Sequence, residues 1–369
     1  MHYFLYPEKD TTIYEASSSL NSGMDEILEI RKNVSETGAT IDVSRILMKF
    51  DLTWVSESIV SGLISSPKYY LNLFDANPKA LAVSQSLEAA AISGSWDMGT
   101  GRSYDNPQTD DGASWNYRYS STDATTWVNE MTSSGAVWYA SGSVPIASQS
   151  FNHKTTDMRM DVTGTVNAWL AGTVSNDGFI VKRNSLQTAS YHASSSEGTS
   201  DRLGSFSFFS SNTNTIYPPT LEVMWDDSKW NTGSLSALSS ANLEDSVIYM
   251  KGLRPEYKEK SKARFRLVGR ERFPEKTYST TPANLSVKHL PSGSTFYSIV
   301  DAETEDVIVP FGTGSRVSCD STGNYFNLWL DGYQPERYYS ILYRIVSGSG
   351  TIEELDQYFD EGFTFKVSL

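Results

Sequence analysis

A single cysteine, Cys319, stands in this chain of 369 residues, so no internal disulfide and no cysteine zinc site can form. Histidine is nearly as scarce. His2, His153, His192 and His289 are the whole set, none three or four residues from another, and they are expected at the surface or in loops. Cations are outnumbered, 30 Lys and Arg against 44 Asp and Glu, giving a formal net charge of −14 and a pI near 4.8. Wholesale nucleic-acid binding needs a basic footprint that this balance withholds. No apolar run approaches the ~20 residues needed to cross a bilayer, so no membrane partner is expected. The opening "MHYFLYPEKDTTIYEA" lacks a basic n-region, an apolar h-region and a small-residue cleavage site. It does not read as a secretory signal, and folding in a cytoplasm is the expectation. Nucleophile motifs are missing too. The glycine pairs at Gly99 and Gly312 lack the spacing and the Lys-Ser/Thr of a phosphate loop and read as turns.

What is present is core and turn material. The chain is 39% hydrophobic and 12% aromatic, with 25 Gly and 13 Pro, which suits many strands joined by many turns. Alternation is clean in "SRILMKFDL", with Ile46, Met48, Phe50 and Leu52 on one face and Arg45, Lys49 and Asp51 on the other. "KYYLNLF" and "TLEVMW" repeat it through Leu71 and Leu73 and through Leu221, Val223 and Trp225. These runs predict antiparallel sheets packed face to face. Residues 80–95 read as helical or irregular. A Ser- and Asn-rich stretch, Lys229 to Asp245, reads as a linker. Beyond it "ARFRLVGRERF", "YYSILYRIV" and "FTFKVSL" are further strands, and Thr351 with Glu354 reads as a capping box opening a short helix through Tyr358, stopped by Gly362. The expected organisation is all-β: a jelly-roll-like sandwich over 1–228, a linker over 229–245, and a smaller β-rich domain over 246–369, Ig-like or a small sandwich, with a short helix.

Thr155 to Asn184 is the most structured passage. Asp161-Val162-Thr163 ends a strand and offers oxygens to cap a helix. Val166, Trp169 and Leu170 share one helical face, Gly172 ends the helix, and Asn176-Asp177-Gly178 turns into the strand "GFIVK". It is a packing motif without a catalytic group, and it points away from an enzyme.

Two tracts are candidates for binding. Trp96 to Arg118 brackets a polar loop carrying Asp97, Asp105, Asp110 and Asp111. Its carboxylates suit calcium in type but not in EF-hand spacing. Trp96, Trp115 and Trp127 read first as anchors pinning the loop, with Trp96 and Trp115 as glycan-facing platforms in the alternative. Tyr257 to Lys276 is a basic island whose Lys258, Lys260, Lys262, Arg264, Arg266, Arg270 and Arg272 are the candidate interaction residues. Edge-strand protection is one reading of so many cations. Docking of an acidic partner protein is the favoured one. No cofactor is implied.

The ordered segments Asn21–Gly23, Arg45–Asp51, Asp161–Gly172, Asn176–Lys182 and Pro219–Trp225 resemble the DNRLRE domain over about residues 8 to 228. That resemblance implies a β-sandwich like those of carbohydrate-binding modules, and no catalytic residues. Such domains usually belong to secreted surface proteins, whereas no secretory signal is read here. The loop "WDMGTGRSYDNPQTDDGASW" and the later "NYFNLWLDGYQPERYYSILYRIV" are similar to segments of tailed-phage structural proteins. The expectation is therefore a non-enzymatic virion component of the neck, tail or baseplate, assembled in the host cytoplasm. It would dock as a homo-oligomer on other virion proteins, with Phe363–Leu369 and the basic strand as contacts. The alternative is an adhesin-type protein gripping surface polysaccharide through the N-terminal sandwich.

Overall fold

The computed structural model describes residues 1–38, 40–77, 84–127, 134–152, 157–185, 196–238, 246–274, 278, 280, 286–347 and 355–369. They divide into two compact units. The larger comprises Leu5–Ser61 and Lys68–Val223; the smaller comprises Met1–Phe4, Gly62–Pro67 and Met224–Leu369. Strand β1 (His2–Leu5) opens the chain, most of it in the smaller unit.

The larger unit contains β2 (Pro7–Tyr14), β3 (Ile27–Val34), β4 (Ile41–Phe50), helix α1 (Thr53–Val60), β5 (Lys68–Leu73), β6 (Gln85–Ala91), β7 (Ala147–Phe151), β8 (Met158–Asp161), helix α2 (Thr163–Leu170), β9 (Phe179–Arg183), β10 (Gly204–Phe209) and β11 (Thr220–Met224). One sheet runs β10-β3-β4-β9-β6-β7, with β2 also paired to β4; in a second sheet β11, β5 and β8 are neighbours. Residues 85–91, expected to be helical or irregular, are the strand β6. Its small residues Ala89 and Ala91 stand opposite Val181 and Phe179, where bulkier side chains fill the space.

On one face of the first sheet Ile46 and Met48 stand opposite Val181 and Phe179, all sealed from solvent. Trp169 of α2 packs onto Phe179 with ring centroids 4.6 Å apart. The expected helix and its glycine stop are present, Gly172 taking a φ of 68°. The capping differs in detail. Val162 occupies the N-cap position, whose side chain cannot cap, and Asp161 instead accepts the Thr163 N–H while the Thr163 hydroxyl accepts the Tyr69 N–H. Asp161 thus satisfies the first helical amide, in keeping with the capping expectation, while Thr163 ties the helix to β5.

The other face, on which alternation places Arg45, Lys49 and Asp51, is covered as well. Val43, Leu47, Ala90, Ile92 and Ile180 meet Trp96, Trp115, Trp127 and Trp138 in one buried cluster. Arg45 lies within this layer, only 2% exposed. Alternation reports which residues share a face, not what lies over that face.

The smaller unit contains β12 (Ser246–Lys251), β13 (Glu256–Lys258), β14 (Lys262–Glu271), β15 (Thr295–Asp301), β16 (Val307–Val309), β17 (Ser318–Asp320), β18 (Gly323–Trp329), β19 (Tyr338–Ser347) and β20 (Leu355–Ser368). Its sheets run β12-β14-β18-β17 and β13-β20-β19-β15-β16. Phe265, Leu267, Phe326 and Leu328 from the first close on Tyr297, Ile299, Tyr339, Ile341 and Phe365 from the second, a small sandwich with one core. Phe326 lies between Tyr297, 4.1 Å away, and Phe265, 5.2 Å away, both near parallel to it.

Two expectations for this part are corrected. The described part of the expected linker, Lys229–Leu238, belongs to the smaller unit: Lys229 accepts the Cys319 N–H, Leu238 donates to the His289 carbonyl, and the Leu238 side chain is in the core. Residues 355–358, expected to be helical, are strand, because pairing along β19 captures them; the Thr351–Glu354 box lies outside the described residues. The terminal strand is paired along β19 from Leu355 to Lys366, and β13 joins its other side, in parallel, only at Lys366–Ser368.

A pH dependence arises at the β15–β16 turn. Arg337 donates to both Asp301 oxygens, at 2.6 and 2.7 Å, and the Glu303 and Thr304 amides add two more bonds. Burial opposes the charge, but these donors outweigh it and hold the Asp301 carboxyl at about 2, below the ordinary 3.8. A depressed carboxyl stabilises the fold above its unfolded pKa and loses that contribution as pH falls toward its folded one. We expect on the order of 2 kcal/mol from this group to vanish between about pH 4 and pH 2. Denaturant titrations of the parent and of Asp301→Asn across that window should converge at the acid end.

Candidate functional site

The loop from Trp96 to Arg118 is organised around Asn21. Its amide nitrogen donates to the Met98 and Ala113 carbonyls at 2.7 and 2.9 Å, and its oxygen accepts the Gly101 and Gly23 amides. Asn21 is fully buried, so each of these groups depends on it. The neighbouring Gly23 must be glycine, since a Cβ there would stand 2.2 Å from the Met98 carbonyl oxygen. Asn21→Ala should cost about 2–4 kcal/mol, because a buried polar group left unpaired costs about 1–3 kcal/mol. Thermal melts would check it, and a variant melting like the parent would refute this account of the loop.

The loop's carboxylates serve as staples. Asp111 accepts the Thr100 amide and hydroxyl, Asp105 accepts the Arg102 amide, Asp110 accepts the Ser121 hydroxyl, and Asp97 pairs with Lys9 at 2.9 Å. Among the described residues no three His, Cys, Asp or Glu side chains are grouped to hold a metal ion. Trp96 and Trp115 are 2% and 3% exposed, and Trp127 is fully buried. For Trp96 and Trp115 the anchor reading stands and the alternative of glycan-facing platforms is corrected, since a ring sealed inside the fold presents no face to a sugar. The Trp96 and Trp127 indoles donate to the Asp177 and Ser114 carbonyls, completing the anchorage.

Beneath this loop lies a charged cluster that sequence patterning does not reveal. Arg45 donates twice to Glu197, at 2.6 and 3.2 Å, and its guanidinium stacks 4.8 Å from the Trp115 ring and 5.2 Å from that of Trp138. Lys182 pairs with Glu88 at 2.8 Å. Burial pulls the Lys182 ammonium below its ordinary range, against the attraction of Glu88 and Glu197. Arg183 is lowered to about 10 by burial, with Glu197 again opposing. Alternation hides the cluster because it places Arg45 only on the polar face of its strand and says nothing of what covers that face.

The basic island resolves into a smaller and sharper feature. Strand β14 lies between β12 and β18, so edge protection does not explain its cations. Ala263, Phe265 and Leu267 face the core, which turns Lys262, Arg264 and Arg266 to the outer face of the sheet. On β18 their direct neighbours are Trp329, Asn327 and Tyr325, and on β12 Lys251 stands opposite Arg266. The Lys262 ammonium lies 4.7 Å from the Trp329 ring centre, and the Arg264 guanidinium lies 4.4 Å from that of Tyr325. Arg264 also donates to Asn327 at 3.1 Å. Arg266 makes a bidentate pair with Asp320 at 2.8 and 2.9 Å, which raises the guanidinium and depresses the carboxyl.

Of the seven candidate cations, then, three form the face. Lys258 belongs to β13 in the other sheet, Lys260 sits in the β13–β14 turn, Arg270 donates to the Glu271 carbonyl, and Arg272 lies beyond the strand end. Lys276 lies outside the described residues. Two residues outside that set of seven, Lys251 and Trp329, join it. The alternation Tyr325, Asn327, Trp329 against Phe326, Leu328, Leu330 could have placed Trp329 outward; only the strand order could bring Lys251 beside Arg266.

The remaining candidates add no site among the described residues. Burial raises the Cys319 thiol to about 11, with Asp320 adding to it, which leaves the sulfur unreactive. His2, expected at the surface, is 2% exposed, and His289 lies edge-on to Trp230. His153 and His192 lie outside the described residues.

No family model matches the chain, and no curated protein matches it. Among solved structures, a DUF4785 family protein from Legionella pneumophila aligns over 98% of this chain at 9% identity and a TM-score of 0.18. The chain spans 65% of that protein's length. A superposition so loose carries no argument about fold or function.

Proposed function

We propose that this chain is a non-enzymatic structural component of a tailed-phage virion that docks to other virion proteins through the outer face of the β14–β18 sheet. One observation carries the docking half of this reading. Lys262 and Arg264 are exposed on an interior strand, held by aromatic rings, and paired with no carboxylate among the described residues. A solvated face needs no such preorganisation, whereas a docking face gains from it because fewer side-chain rotamers are lost on binding. The virion setting comes from the similarity of the tryptophan loop and of Asn324–Val346 to segments of tailed-phage structural proteins. Both sandwiches then serve as rigid spacers.

The test is the composition of purified particles. Mass spectrometry of intact virions from a host producing this chain should detect it, and particles made with Lys262→Glu/Arg264→Glu should lose it. Particles free of the parent chain would end the virion reading. Full retention of the double variant would end the docking role of this face.

A further inference from the structure

We infer that the partner of the basic face is a second copy of this chain, which docks its acidic β15–β16 turn there head to tail. The inference rests on the docking reading above and names its partner.

The face favours carboxylates over bases or sugars. Tyr325 is only 9% exposed, because Arg264 and Arg266 lie over its ring at 4.4 and 5.7 Å, and Lys262 occupies the Trp329 ring. Rings already covered by cations cannot stack on a base or a pyranose. A guanidinium lying over a ring still offers its N–H edge, the geometry that takes a carboxylate. Arg266 with Asp320 is that pairing within the chain, on the same face.

The other half of the contact lies in the same unit. Between β15 and β16 the sequence Glu303-Thr304-Glu305-Asp306 projects with all four residues exposed, and Val307 beside them is 59% exposed. The turn is rigid. Asp301 accepts the Glu303 and Thr304 amides, its carbonyl accepts the Glu305 amide, and its own N–H donates to the Asp306 carbonyl. Arg337 clamps Asp301 from behind and lies 3.6 Å from Glu303, whose side chain remains 70% exposed. Glu305 takes a φ of 62°, a conformation that only a tightly held turn keeps in a non-glycine residue. A preorganised acidic turn and a preorganised basic face on different sheets of one unit are complementary but not self-complementary. Their contact is heterologous, and repeated copies close into a ring where the rotation permits.

Sedimentation velocity of the full chain over a range of concentrations, at low and high ionic strength, tests this. The parent should self-associate at low salt and dissociate at high salt. Lys262→Glu/Arg264→Glu and Glu305→Lys/Asp306→Lys should each weaken association at least about tenfold, and the combined charge swap should restore it. Melting curves would establish that each variant is folded, and alanine at the same positions gives a milder second set. A parent that stays monomeric, variants that associate like the parent, or a swap without recovery would each overturn the inference. If the basic-face variant is lost from particles while the parent is monomeric, docking stands and the second copy falls.

Discussion

Glu197→Gln is expected to destabilise the larger unit by about 3–5 kcal/mol, the usual cost of breaking a buried ion pair by removing one partner. Glu197 is 1% exposed and receives two bonds from Arg45, itself only 3% exposed at the side chain. Its charge also acts favourably on Lys32, Lys182 and Arg183. Glutamine keeps the shape but leaves Arg45 charged, desolvated and among other cations. Neutralising both partners, as in Arg45→Met/Glu197→Met, should recover part of the loss, because Arg45 is then no longer a buried charge without its partner, while Lys182 and Arg183 still lose the attraction of Glu197. Chemical denaturation of the two single variants and the double would measure the coupling. A single-variant loss under about 1 kcal/mol would mean that water reaches the pair. The outer-face cations offer an internal contrast. Lys262→Ala and Arg264→Ala should change stability by only about 0.5 kcal/mol, since neither charge is buried.

Trp169→Ala should cost the larger unit about 3–5 kcal/mol, the range for emptying a buried aromatic site. Trp169 is 7% exposed, and its ring fills the space against Phe179, which in turn lies 6.3 Å from Phe50. The gap would open between α2 and the sheet. Thr163 ties that helix to Tyr69, which limits how far the surroundings can collapse into it. Trp169→Phe should lose less, because most of the apolar contact is kept. A Trp169→Ala protein that melts like the parent would break the assignment of this helix as a core element.

Strands with strict alternation are legible in the amino-acid sequence itself. β4, β5, β11, β14, β19 and the last residues of β20 lie where period-two patterns place them, β9 follows the Asn176-Asp177-Gly178 turn, and α2 lies where the i, i+3, i+4 spacing of Val166, Trp169 and Leu170 puts it. Local patterns survive because side-chain direction follows backbone geometry directly. Leu355–Tyr358 reads as helix but folds as strand for the complementary reason. Its capping signals are weak local preferences, and cross-strand pairing with β19 overrides them. Of the candidate site, the cations are legible as a cluster of charge, but their division between two sheets is not.

By itself, then, the sequence determined the all-β class, the lack of an internal disulfide, and which residues share a face of the strictly alternating strands. Tertiary structure alone decided what covers those faces. It buried Arg45 beneath the tryptophan loop, committed the loop aspartates as staples, withdrew Trp96 and Trp115 from solvent, and left Lys262, Arg264 and Arg266 outside on an interior strand. The reason is physical. Periodicity is a property of neighbouring residues, whereas burial depends on contacts between segments far apart in the chain, and charge becomes informative only once its surroundings are known.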